Sequence, residues 1–278
     1  MKKYYNSKPR LDENGNLERT GLKIGEINKG VLLPGDPHRC EIMSKFFVEP
    51  KFLGRVGTYS AYNGKTKEGE NISVVSSGMG CDCVATALED LSFAGAKTVI
   101  RVGTCGGVIP GTVPGTIVIA SGCVRGEGAS YELVPPEFPA VADPYVVKAL
   151  SQAAEECGED YVVGMYRSHD AFYVESKAAH EGLRDRMQKW IDTDVKVVEN
   201  ESGTLFTFAH LLGLRAGTIC VALGSMFDDL DENGNAIYAA YQDPNYLQSR
   251  IETVTKIAIR AVEILEQEGH IQWNTRVY

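Results

Sequence analysis

Short apolar runs recur along the chain, and most close on a glycine or proline turn. Val31-Leu32-Leu33 runs into Pro34-Gly35-Asp36-Pro37, and Val99-Ile100-Arg101-Val102 runs into Gly103-Thr104-Cys105-Gly106-Gly107. Further strands are predicted over 54–62, 71–76, 116–121, 161–166, 194–199 and 218–223. Between the strands the apolar spacing becomes helical. A short helix is predicted over 39–47, with Cys40, Met43 and Phe47 on one face, and a longer one over 82–94, carried by Val84, Ala87, Leu88 and Leu91 and closed by Gly95. Asp143-Pro144 reads as a cap and first position of a helix to residue 157. Helices are also predicted over 178–189 and 202–212. The last helix starts at Asp243-Pro244, puts Leu247, Ile251, Val254, Ala258, Ala261 and Leu265 on one face, and ends at Gly269. Strands alternating with helices predict an α/β fold with a largely parallel sheet.

Residues 1–28 are polar and read as a partly mobile N-terminal arm ahead of a single domain over 29–278. Residues 122–139 read as a variable loop, and the acidic stretch 228–245 as a long loop or lid.

Composition narrows the classes. The 278 residues are 44% hydrophobic, enough for one sizeable core. A net charge of -9, with no basic run, argues against nucleic-acid binding. No apolar run spans a bilayer, and Met1-Lys2-Lys3 is not followed by the apolar stretch of a signal peptide. The seven cysteines are odd in number and scattered through apolar runs, the usage of a reducing cytoplasm. Cys81-Asp82-Cys83 has no second ligand pair at metal-binding spacing, so no metal is expected.

Against this acidic background Arg101 stands out, an arginine inside an apolar strand. Burying it is costly unless a partner neutralises it. Thr104 adds a hydroxyl, and Gly103, Gly106 and Gly107 allow close backbone approach, so the stretch suits an oxyanion. The alternative is a strand end whose arginine reaches out to water. Gly35-Asp36-Pro37 followed by Arg39 repeats the theme of strand, tight turn and cation. Glu199-Asn200-Glu201 brackets a strand-to-helix join with two carboxylates; either they bind hydroxyls or Glu201 merely favours the helix N-terminus. Ser168-His169-Asp170 has the residue types of a hydrolase triad, but neighbours on a strand point to opposite faces and cannot assemble one. Phe172 follows a strand end and can stack on a planar group or join the core. Arg55 reads as a solvated loop residue.

The turn at Gly35-Asp36-Pro37 with Arg39, the stretch 101–107 and Glu137-Phe138-Pro139-Ala140-Val141-Ala142-Asp143 together resemble the nucleoside phosphorylase family, the third motif its uridine phosphorylase branch. The resemblance runs from about residue 21 to about residue 265. It implies a mixed, mostly parallel sheet forming a distorted barrel flanked by helices. It implies phosphorolysis of a ribonucleoside, uridine first, to free base and ribose 1-phosphate. Phosphate is then a co-substrate, held by Gly35, Arg39, Arg101, Thr104 and a neighbouring subunit's copy of Arg55, and no cofactor is needed. Glu199, Asn200 and Glu201 hold ribose; Cys105, Gly106 and Phe172 line the base; Arg101 and Glu201 are the catalytic pair. The partners implied are small molecules and further copies of the chain, as a dimer or a hexamer built from dimers.

Several positions depart from the family pattern. Asn200 replaces its methionine. Val174-Glu175-Ser176-Lys177 replaces the glutamine and arginine that read uracil. Met226 stands where the purine enzymes carry an aspartate and the pyrimidine enzymes an arginine, with Asp228 and Asp229 close by. Val56 replaces a potassium-binding glutamate. A purine nucleoside phosphorylase, a hydrolytic nucleosidase and a non-catalytic nucleoside-binding protein therefore stay open as alternatives. Phosphate dependence of turnover separates the first two, and binding without turnover marks the third.

Overall fold

Three helices begin at the same dipeptide. Asp36-Pro37, Asp143-Pro144 and Asp243-Pro244 open α1 (Pro37–Ser44), α3 (Pro144–Glu156) and α6 (Pro244–Gln267). In each, the aspartate accepts from a free amide of the first turn, and the proline sits where no amide hydrogen is needed. The computed structural model describes residues 8–173, 176–227 and 243–272. The stretch 228–242, most of the lid expected from sequence, lies outside them, as do Val174 and Glu175.

The remaining elements are β1 (Gly30–Leu33), β2 (Val48–Val56), β3 (Tyr59–Lys65), β4 (Asn71–Val75), α2 (Cys81–Ala94), β5 (Thr98–Gly107), β6 (Ile117–Gly126), β7 (Ala140–Val141), β8 (Tyr161–His169), α4 (Leu183–Asp192), β9 (Val197–Glu199), α5 (Ser202–Leu212) and β10 (Arg215–Ser225). The strands form one mixed sheet ordered β10-β6-β8-β9-β5-β1-β4-β3-β2, and β10 also pairs with β5. That extra pairing closes β5, β10, β6, β8 and β9 into a barrel, with β1, β4, β3 and β2 continuing from β5 as an open extension. The two longest ladders, β5–β10 and β6–β8, are both parallel.

Alternation along the strands sorts the core into two layers. Val31, Leu33 and Val99 pack with α2 and α5, whereas Leu32, Ile100 and Val102 pack with α1, α3 and α6. By the same alternation Arg101 falls on the α2 and α5 side.

The structure corrects several boundaries. The strand expected over 54–62 is two: Val56 pairs with Tyr59 across a tight turn in which Gly57 adopts a left-handed conformation, φ +57°. The loop expected from residue 122 is strand as far as Gly126, because the backbone stays paired in parallel with β8 up to His169; Arg125 is buried there, its Nε donating to the Ser130 hydroxyl and its Nη1 to the carbonyls of Pro135 and Phe138. Helix α4 begins at Leu183, five residues after the expected start at 178. The N-terminal stretch is tied down over its described part. Leu17, Leu22 and Ile27 are buried in the core, and Thr20 donates from its amide and hydroxyl to buried Asp90 at 3.0 and 2.9 Å. Among the described residues no helix is long and apolar enough to cross a membrane.

Candidate active site

The ends of β1, β4, β8 and β9 and the second half of β5 meet around a cavity of about 510 Å³. Ligands of α/β folds commonly bind where strands end and loops leave the sheet. The turn after β1 contributes Gly35, Asp36 and Pro37, with Arg39 from α1 beside them. Across from it runs the turn between β4 and α2, containing Gly78 and Met79. The two turns approach so closely that a Cβ on Gly35 would lie 3.3 Å from the Gly78 carbonyl oxygen. Gly78 itself has φ +80°, and a side chain there would also strike Thr58. Strand β5 adds Arg101, Thr104, Cys105 and Gly106, and β9 with its exit adds Val198, Glu199, Asn200 and Glu201. His169, Phe172 and Tyr173 follow from β8, and Leu223 from β10. Every site residue expected from sequence thus lines this cavity except Arg55. Arg55 lies exposed on β2, its Nε donating to the Gly57 carbonyl at 3.0 Å.

Arg101 is 5% exposed, and the neutralising groups come from the chain itself. Its Nε donates to Glu199 Oε2 at 3.0 Å, and its Nη2 pairs with Glu201. Glu199 also accepts from the Ser168 hydroxyl at 2.5 Å, from the Ser202 hydroxyl at 3.0 Å and from the amides of Glu201 and Ser202, both at 3.0 Å. Those amides belong to the start of α5, where free donors and the helix dipole favour a carboxylate. Glu199 is thereby engaged by protein donors on both oxygens and fixes Arg101 against the α5 N-terminus. Glu201 accepts from the Gly80 amide at 2.8 Å and the Asn200 amide at 3.2 Å, which ties it to the turn before α2.

One guanidinium therefore faces two buried carboxylates, an excess of one negative charge. Burial pushes the Glu201 carboxyl above its ordinary range; Arg101 opposes the shift and Glu199 adds to it. For Arg101, burial works against the charge, but Glu201 and Glu199 more than offset it and hold the guanidinium charged.

Phe172 and Tyr173 stand at the cavity mouth, 51% and 66% exposed, with their rings edge to face and centroids 5.2 Å apart. Met226 is fully buried in a cluster with Val108, Met187 and Val198, and is not itself one of the residues that line the cavity. The Ser168-His169-Asp170 run forms no triad, as expected. Ser168 bonds Glu199, the His169 ring bonds the Ala171 carbonyl, and Asp170 accepts from the Gly128 amide. Sequence reasoning set His169 aside with that triad, yet His169 is one of the residues that line the cavity. Thr58, Met79, Tyr173 and Leu223 also went unselected; each is an ordinary core or loop residue in its local context.

Residues 29–265 match the sequence pattern of the Phosphorylase superfamily, and the chain belongs to that family. Among its relatives is a uridine phosphorylase of Treponema pallidum, 37% identical over 209 residues that cover 74% of this chain and 81% of the relative. A guanosine phosphorylase of Halorubrum lacusprofundi is 31% identical over 246 residues, covering 88% and 97%. The fold is similar to that of a purine nucleoside phosphorylase from Toxoplasma gondii, with TM-score 0.80, 23% identity and coverage of 93% and 100%. It is also similar to that of a uridine phosphorylase from Vibrio fischeri, with TM-score 0.78, 24% identity and coverage of 90% and 98%.

Proposed function

We propose that the protein is a nucleoside phosphorylase that transfers the ribosyl group of a ribonucleoside, uridine first, to inorganic phosphate. A phosphate oxygen forms a bond to C1′, the C1′–N bond breaks, and the base leaves with the electron pair and takes up a proton. The observation that carries the reading is the convergence of the Gly35 turn, Arg39, Arg101, Thr104 and Glu201 on one cavity. Arg39, Arg101, Thr104 and the backbone around Gly35 hold phosphate, Glu201 orients the ribose hydroxyls, and Phe172 covers the base. Catalysis is then positioning plus charge complementarity to a cationic sugar. Glu199 acts behind Arg101 and Glu201, without meeting the sugar itself. No cofactor enters the reaction.

A purine nucleoside is the second reading. The guanosine phosphorylase of Halorubrum lacusprofundi is matched over 97% of its length, and the uracil-reading residues of the family pattern are replaced here. Incubation with uridine, cytidine, inosine, guanosine and adenosine, with and without phosphate, tests both readings by release of free base. Release without phosphate would make the protein a hydrolase, and no release would leave it a binding protein.

The same reading makes the protein a cytoplasmic homo-oligomer, a dimer or a hexamer of dimers. It is supported by seven free cysteines and by the exposure of Arg55, which is free to enter a neighbour's phosphate site across a two-fold axis. Mixing Arg55→Ala with Arg101→Ala subunits under exchange should restore activity; exchange without recovery rules the shared site out.

A further inference from the structure

The anion end of the cavity is furnished with cations and backbone amides, and its sugar end with the Glu201 carboxylate. At the Phe172 end, two polar side chains, His169 and Asn200, line the cavity and are each held by a backbone carbonyl. His169 Nδ1 lies 2.6 Å from the Ala171 carbonyl oxygen, one residue before Phe172. The Asn200 side-chain amide nitrogen donates to the carbonyl of His169. A carbonyl oxygen cannot donate, so Nδ1 must carry the imidazole proton and Nε2 keeps its lone pair. By the same reasoning the Asn200 nitrogen faces the His169 carbonyl, and its oxygen remains an acceptor. This end of the cavity is therefore equipped with acceptors.

We propose that His169 reads the nucleobase, Nε2 accepting a hydrogen bond from a ring N–H. The matching ligands are oxo bases whose pairing-edge ring nitrogen bears hydrogen: uracil, hypoxanthine and guanine. Cytosine and adenine present a bare lone pair at that nitrogen, which would meet the lone pair of Nε2. The inference rests on the nucleoside phosphorylase reading and supplies the base selection that reading lacks. Selectivity of this kind is strong because a mismatched base leaves buried polar groups unpaired.

The surroundings keep the ring neutral. Burial, with His169 6% exposed, and the neighbouring Arg167 hold the imidazole below its ordinary value; the Ala171 carbonyl, Glu199 and Asp170 pull the other way. His169 also lines a second cavity, where Arg186 and Lys189 of α4 and Glu181 before it add two positive charges and one negative. The acceptor form therefore extends to lower pH than for a free histidine. Below that point Nε2 gains a proton and becomes a donor, and turnover of oxo nucleosides should fall.

The test compares wild type, His169→Gln and His169→Phe through two ratios of kcat/KM, uridine over cytidine and inosine over adenosine. Each ratio is independent of the fraction of enzyme that is folded. Wild type should favour the oxo nucleoside by about ten- to hundredfold or more. His169→Gln retains an acceptor and should keep most of that preference, while losing the acid limb of the pH profile. His169→Phe has none and should bring both ratios close to one. Ratios that survive in His169→Phe, or a wild type that cleaves all four alike, overturn the inference. Calorimetric binding of 1-methyluracil, 1-methylcytosine, 9-methylhypoxanthine and 9-methyladenine, whose glycosidic nitrogen is blocked, needs no phosphate and separates the two levels. Selective binding that is lost in His169→Phe, without any phosphorolysis, supports base reading by His169 and sinks the phosphorylase reading. Phosphorolysis with unselective base binding sinks only His169.

Discussion

Two buried arginines sit in neighbouring strands and meet different partners. Arg101 lies in β5 and Arg215 in β10, and these strands are paired in parallel with Thr98 opposite Arg215 and Thr218 opposite Arg101. Their burial is alike, 5% and 4% exposed. Arg215 Nη1 donates to Asp143 Oδ2 at 2.6 Å, and the guanidinium lies 4.7 Å from the Tyr145 ring centroid. Asp143 in turn caps α3 through the amides of Tyr145 and Val146. That pair fastens a helix to the barrel. Arg101 meets two carboxylates, and its cluster forms part of a cavity wall. Burial alone therefore does not separate the proposed phosphate-holding arginine from one that only fastens the fold. Charge balance and access to a cavity do.

The largest expected effect breaks the comparison from the structural side. Arg215→Ala leaves Asp143 buried without its cation and should cost about 3–5 kcal/mol of stability. Denaturant unfolding checks the loss, and kcat/KM per folded molecule should stay within about twofold if the pair serves only the fold. Next comes Arg101→Ala. If Arg101 holds phosphate as proposed, removing that charge-assisted partner in a secluded site should lower kcat/KM about a hundredfold or more, near 3 kcal/mol. Its stability loss should be smaller than that of Arg215→Ala, because the two remaining carboxylates can share a proton and reach water through the cavity. Full activity would make Arg101 a second structural arginine. Glu201→Gln follows, with KM for nucleoside rising about tenfold and KM for phosphate changing less, since an amide keeps the shape but loses the charge and one acceptor. Equal changes in both would assign Glu201 to the fold.

The same two arginines show which parts of the molecule were legible in the sequence. Helix starts at Asp143-Pro144 and Asp243-Pro244 were, because a cap is local chemistry, and α5 was read to both ends. Strand β10 was expected to begin at Thr218 and begins at Arg215, because the partner that makes Arg215 a strand residue lies 72 positions away. The hairpin at Gly57 was hidden because the residues on either side continue one extended pattern. At the site, glycine turns and charged residues announced themselves in Gly35, Arg39, Arg101 and 199–201. The pairing of Arg101 with Glu199 spans 98 positions, and that of Gly80 with Glu201 spans 121, so no local signal carried either. A buried arginine was expected to await an oxyanion; the chain supplies two carboxylates of its own.

The smallest expected effect sharpens the comparison most, because it reads the excess negative charge directly. Burial and Glu199 raise the Glu201 carboxyl above its ordinary range in the folded protein, against the pull of Arg101. A raised carboxyl binds its proton more tightly in the folded than in the unfolded state. Its contribution to stability is then fully present below the unfolded value, about 4.3, and is lost as pH rises through the folded value. The measurement is the stability of wild type minus that of Glu201→Gln, by denaturant unfolding across pH 4 to 8. Carboxylates remote from Glu201 contribute alike to both proteins and cancel in the difference. The difference should decline as pH rises across that window, so the glutamine variant gains relative to wild type toward neutral pH. The slope is the test, since the offset also contains the lost contact with Arg101. Parallel curves would mean that Arg101 fully neutralises Glu201, leaving the cluster as balanced as the pair formed by Arg215 and Asp143. A difference that rises with pH would mean that Arg101 outweighs burial and holds Glu201 below its ordinary range.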